Sequence, residues 1–173
     1  MITKGMIFDM DGLLVNSEPI KYEGYTRGVT KHLEFKIPAG FRAHYIQNCV
    51  GQSRQINCEG QMGFLDSPQH LNGKLATKLG ELRGQLATEF DSKEISQDTT
   101  EHKLLSAMND KYEGGIENSP LWEIYAYARL LEYGKIKNNI KPIDRNVEFL
   151  MRIPRGEKVG LVTRTKEKKQ CIY

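Results

Sequence analysis

One short stretch, Gly5-Met-Ile-Phe-Asp9-Met-Asp11-Gly12, constrains this chain more than any other. Lys4 to Phe8 reads as a short buried strand, and an acidic loop follows it. Two carboxylates two residues apart after a strand can face one crevice. Their oxygens suit a hard cation such as Mg²⁺. One carboxylate can attack phosphorus while the other moves protons, since an aspartyl ester of phosphate is an established use of a carboxylate nucleophile. Gly12 allows a sharp turn beside a substrate. A calcium-binding EF-hand is the weaker reading, because glycine follows the second aspartate directly and leaves no third ligand position before it. Taken alone, such a string is often only a turn.

The same strand pattern returns near the other end, in Lys158-Val-Gly-Leu-Val-Thr163. Two short apolar strands, each ending in polar residues, predict an open parallel sheet. In such sheets ligands bind beyond the carboxyl ends of the strands, which is where Asp9 and Thr163 fall. Helices are expected between them. Ser17 is placed to cap a helix running to about Leu33, with Glu18 and Pro19 in its first turn. Pro38 and Gly40 break it. Ser67-Pro68 reads as the start of a second helix, whose stripe is Leu71, Leu75, Leu79, Leu82 and Leu86. Gly73, Gly80 and Gly84 weaken that helix by about 1 kcal/mol each relative to alanine. A third helix is predicted from Thr100 to about Tyr112, ended by Gly114-Gly115. A fourth starts at Ser119-Pro120 and carries its apolar face up to Gly134. Asp144 is expected to cap a short helix through Leu150, and Thr165 to cap another just before the end.

Composition excludes several classes. Of the 173 residues, 39% are hydrophobic and 27% charged, the balance of a folded globular protein and not of a disordered one. No apolar run approaches the roughly 18 residues of a membrane helix. Nothing at the N-terminus resembles a signal peptide, so a cytoplasmic location is the default expectation. Cys49, Cys58 and Cys171 form no CxxC pair, and His32, His44, His70 and His102 are scattered. Neither a disulfide framework nor a zinc site is expected. The net charge is +3, and its distribution is uneven: from Leu150 onward seven basic residues stand against two acidic ones, net +5. Such a segment can surround an anionic substrate or touch nucleic acid. With no nucleic-acid motif beside it, nucleic-acid binding is not expected.

The run Met6-Ile-Phe-Asp-Met-Asp-Gly-Leu-Leu-Val-Asn-Ser-Glu-Pro19 resembles the first signature of the haloacid dehalogenase-like (HAD) superfamily. More narrowly, it is similar to the branch that includes beta-phosphoglucomutase and the sugar-phosphate and phosphoglycolate phosphatases. The resemblance implies an α/β fold: a Rossmann-like core of residues 1–18 and 141–173, its parallel sheet incomplete, with a helical cap inserted over 19–140. It implies Asp9 as nucleophile and Mg²⁺ ligand. Asp11 becomes the general acid/base and a second ligand through its backbone carbonyl. Met10 and Gly12 line the phosphate. The dehalogenase branch lacks the second aspartate, so Asp11 favours phosphoryl transfer. Asn16 stands where the family more often has aspartate, a difference expected to be structural. Lys158–Thr165 resembles the second signature, with the Thr163 hydroxyl and the Arg164 backbone N–H on a phosphoryl oxygen. Lys141-Pro142 resembles the segment that re-enters the core. Gly51-Gln-Ser-Arg54 resembles the cap's specificity loop, with Arg54 on a distal phosphate of the substrate, although a turn followed by a solvated arginine has the same sequence. Lys21 occupies a cap-side position where the mutase has histidine, which favours a phosphatase over a mutase.

The implied function is Mg²⁺-dependent hydrolysis of a small phosphorylated metabolite under a closing cap. The family's later lysine and acidic signatures find no match in the about ten residues after Thr163. The expectation is therefore a C-terminally truncated member in which water replaces the missing metal ligands. The strand ending in Asp9 then keeps an unpaired edge through which copies can associate. A catalytically inactive fragment or phosphate-binding pseudoenzyme is the open alternative, and a sugar-phosphate mutase the lesser one.

Overall fold

The computed structural model describes residues 5–154 and 156–162. The chain divides into two compact units, residues 1–21 with 137–173, and residues 22–136. It is a mixed α/β structure, mostly helical. In chain order the elements are β1 (Gly5–Asp9), β2 (Val15–Asn16), α1 (Glu18–His32), α2 (Phe41–His44), a π-helical turn (Tyr45–Cys49), α3 (Arg54–Leu65), α4 (Lys74–Asp91), α5 (Thr100–Asn109), a 3₁₀ turn (Gly115–Asn118), α6 (Leu121–Ile136), a second 3₁₀ turn (Lys137–Asn139), β3 (Lys141–Pro142), α7 (Asp144–Met151) and β4 (Lys158–Val162). No helix among the described residues is long and apolar enough to cross a membrane.

In the first unit β1 and β4 pair in parallel, from Gly5 opposite Lys158 to Asp9 opposite Val162. Alternation along the strands separates the two faces. Met6, Phe8, Val159 and Leu161 are half-buried, and the Phe8 ring lies 6.3 Å from that of Phe149 on α7. The other face carries Ile7 at 75% exposure and Val162 at 51%, so β1 and β4 are not the buried strands their apolar sequences predict. β2 and β3 make a separate antiparallel pair, with Val15 opposite Pro142 and Asn16 opposite Lys141. Two further bonds lock this junction: Ile143 N donates to Leu14 O at 2.8 Å and Asn146 Nδ2 to Leu13 O at 2.6 Å. Leu14 is the unit's one buried apolar side chain among the described residues.

The second unit is a helical bundle organised by α6. Ten of that helix's 16 residues are buried, as expected of a central helix, three of them the charged Glu123, Arg129 and Glu132. Its core partners include Val29 of α1, Leu65 of α3, Leu75 and Leu79 of α4 and Leu105 of α5. α1 approaches α6 through two glycines. A Cβ on Gly24 would lie 2.6 Å from Tyr133 Cα, and one on Gly28 2.5 Å from the Ala128 carbonyl oxygen.

Several expected helix starts move. Ser67-Pro68 does not open α4: it sits in a turn in which Ser67 O accepts from His70 N and Asn72 N. The helix begins at Lys74, after Gly73 at φ 84°, and the Asp66 carboxylate accepts from Leu75 N at 3.0 Å. A carboxylate nearer the free N–H groups has taken the capping role assigned to serine. Ser17 also fails as a cap. Its hydroxyl is buried and has no hydrogen-bond partner among the described residues. Asp144 lies inside α7, whose preceding residue is Ile143 and makes no side-chain cap. Gly134 does not end α6, which continues to Ile136. α3 and the π-helical turn before it were not predicted. Thr165 lies outside the described residues.

Candidate active site

Asp9 closes β1, and its position is set by the ladder on its sheet neighbour. It is Cα partner to Val162, and the next residue, Met10, donates its N–H to Val162 O at 3.0 Å. The chain then turns back. Leu14 N and Val15 N both donate to Met10 O at 3.0 Å, and Gly12 N donates to Val15 O at 2.9 Å. Gly12 adopts φ 80°, the left-handed region that a side chain would strain. Asp9, Met10, Asp11 and Gly12 are all exposed, so the acidic loop is presented to solvent at the carboxyl end of the strand.

The Asp11 carboxylate has a cationic neighbour. Lys21 Nζ lies 3.4 Å from Asp11 Oδ2 and 2.9 Å from Glu18 Oε1. Both partners come from the first turn of α1 or the loop before it, so the start of that helix holds the ammonium against the loop. Lys21 was expected on the substrate side; it contacts the loop through Asp11 and its own helix through Glu18. Glu18 was not singled out as a site residue. Its three-residue spacing from Lys21 on a helix was the available signal.

Arg54 belongs to the helical unit. It is the first, exposed residue of α3, directly after Ser53, whose hydroxyl accepts from Ile56 N at 3.4 Å. The sequence Gly51-Gln-Ser-Arg54 is thus a turn, with Gly51 at φ 82°, running into a capped helix. Thr163 and Arg164 lie outside the described residues; β4 ends at Val162, directly before them.

Asp9 offers a carboxylate and Asp11 a backbone carbonyl, oxygen donors of the type Mg²⁺ takes, and the ion habitually retains several waters. Among the described residues no group of three histidine, cysteine, aspartate or glutamate side chains is placed to share a metal. The fit thus rests on these two residues, with solvent completing the shell.

No family model, no curated protein and no solved structure matches the chain.

Proposed function

We propose that the chain is a capped phosphotransferase of the HAD type, acting as a Mg²⁺-dependent phosphatase on a small phosphorylated metabolite such as a sugar phosphate. One observation carries the reading. The two stretches that resemble the family's signatures, far apart in sequence, run as adjacent parallel strands in register, so Asp9 and the residue before Thr163 end side by side. Adjacent parallel strand ends are where ligands collect in open α/β sheets. The turned loop carrying Asp11 adds to it.

In this reading Asp9 attacks phosphorus and the P–O bond to the leaving alcohol breaks. Asp11 gives that alcohol its proton. Water then attacks the phosphorus of the aspartyl ester, its proton passes to Asp11, and the Asp9 carboxylate and phosphate are released. Lys21, beside Asp11, positions the carboxylate that carries these protons. In this reading the helical unit, residues 22–136, which lies between the two strands in sequence, is the cap.

The test is hydrolysis of an aryl phosphate by the full chain with and without Mg²⁺, beside Asp9→Asn. The reading expects activity that EDTA abolishes and the substitution removes. Folded protein without activity, by circular dichroism, would turn the conclusion to a phosphate-binding relative that does not turn over. Activity that survives Asp9→Asn would reject the nucleophile.

A further inference from the structure

The helical unit has an open groove of about 910 Å³ along α1 and the segment after it, within the size range of small-molecule sites. Its walls are of two kinds. Tyr22, Phe35 and Ile37 supply aromatic and aliphatic surface. Thr26 and Thr30, one helical turn apart, supply hydroxyls, and Arg27, Lys31 and Lys36 supply positive charge.

Two acidic residues also line it, and both already have cationic partners; of the groove's cations, Arg27 is itself paired with Glu23 at 2.5 Å. Glu34 sits 3.6 Å from Lys78 Nζ, which Glu81 shares at 3.3 Å. Glu132 Oε1 accepts from Lys31 at 3.2 Å, His32 at 3.1 Å and Lys135 at 2.6 Å. Two lysines on one carboxylate leave a positive charge in excess even with a neutral imidazole. Lys36 has no ion pair among the described residues and is exposed. With these pairs counted, five cations stand against four carboxylates, so the groove combines apolar surface with one positive charge in excess, which favours an anion over a cation.

From this we infer that the groove is a binding site for a small organic anion, with a phosphate, phosphonate or carboxylate head held by Arg27, Lys31 and Lys36 and an apolar ring or chain laid against Tyr22 and Phe35. The inference does not depend on the phosphatase reading, since every group it uses lies in residues 22–136.

The experiment is a titration of the ¹⁵N-labelled full chain with phenylphosphonate, which cannot be hydrolysed as a phosphate ester. The expected result is saturable shifts in the amides of residues 26–37 and of Glu132, weakened about fivefold or more in Arg27→Ala/Lys36→Ala while the remaining spectrum keeps its dispersion. Shifts confined to residues 10–15 would overturn the groove and leave the phosphatase reading standing. Equal shifts with benzyl alcohol would overturn the requirement for an anion. Undiminished binding by the double variant would overturn the assigned cations.

Discussion

Gly28 of α1 faces the backbone of Ala128 on α6, and a Cβ at Gly28 would stand 2.5 Å from the Ala128 carbonyl oxygen and 2.8 Å from Arg129 Cα. Backbone cannot move aside as a side chain can, so the two helices must separate. Gly28→Ala, and Gly24→Ala against Tyr133 Cα at 2.6 Å, are expected to cost about 2–3 kcal/mol each. Gly84→Ala is the control. It lies inside α4 with open space around its would-be Cβ, and the gain in helix propensity should stabilise by up to about 1 kcal/mol. Urea unfolding followed by circular dichroism reads all three.

Glu132 makes the helical unit sensitive to acid. Burial works against its ionisation, but hydrogen bonds from Lys135, His32 and Lys31 outweigh that and hold its carboxyl at about 2, against an ordinary 4.5. The folded state thus binds a proton less readily than the unfolded chain. This stability is fully present above about pH 4.5 and is lost as pH falls toward 2. With the two lysines half-exposed, it is worth roughly 1–2 kcal/mol. Glu132→Gln should lower stability at pH 7 and flatten its decline between those two pH values, measured as urea midpoints across the range.

Arg129 is 4% exposed, and no carboxylate pairs with it among the described residues. Its guanidinium donates to Cys58 Sγ at 3.0 Å and Asn57 Oδ1 at 2.9 Å, stacks 3.6 Å from the Tyr25 ring centroid, and leaves Nε without a hydrogen-bond partner. Asn57 Oδ1 keeps a second donor, Gln61 Nε2 at 2.7 Å. A methionine here removes a buried charge and keeps most of the volume. Arg129→Met is therefore expected within about 1 kcal/mol of the parent or above it, whereas Arg129→Ala opens a cavity and loses about 3 kcal/mol. Thermal unfolding separates the two, and a Met variant as weak as the Ala variant would show that the charge itself holds the bundle.

What could be read in advance follows from how local the signals are. β1 and its acidic loop were legible because strand, turn glycine and carboxylates are contiguous. α6 was legible because most of its positions are apolar or aromatic. α3 escaped because its buried stripe is short, Cys58, Gln61 and Leu65, with the polar Gln61 in its middle. Gln61 is buried because its Oε1 accepts from the Tyr125 hydroxyl at 3.0 Å, a partner 64 residues away that no local pattern announces. The start of α4 moved for a similar reason. Asp66 and Gly73 offered better chemistry for a helix terminus than Ser67-Pro68, and choosing between them requires the path of the intervening turn. At the acidic loop, Asp11 was legible as an acid, but its tie to Lys21 depends on how α1 leaves β2.

That tie yields the last prediction. Lys21 reaches Asp11 at 3.4 Å and Glu18 at 2.9 Å while its side chain is 21% exposed. Ion pairs this open to solvent contribute about 1 kcal/mol or less to stability, so Lys21→Met should unfold close to the parent. Catalysis is more demanding of position than stability is, since small misplacements of a reacting group cost one or two powers of ten. If Asp11 moves protons as proposed, Lys21→Met lowers kcat on an aryl phosphate by about 10- to 100-fold and changes KM little. Lys21→Arg, which keeps the charge, restores most of the rate. A Met variant with the parent's kcat would show that Asp11 holds its place without the ammonium. A rise in KM at constant kcat would return Lys21 to the substrate side, where the sequence first put it.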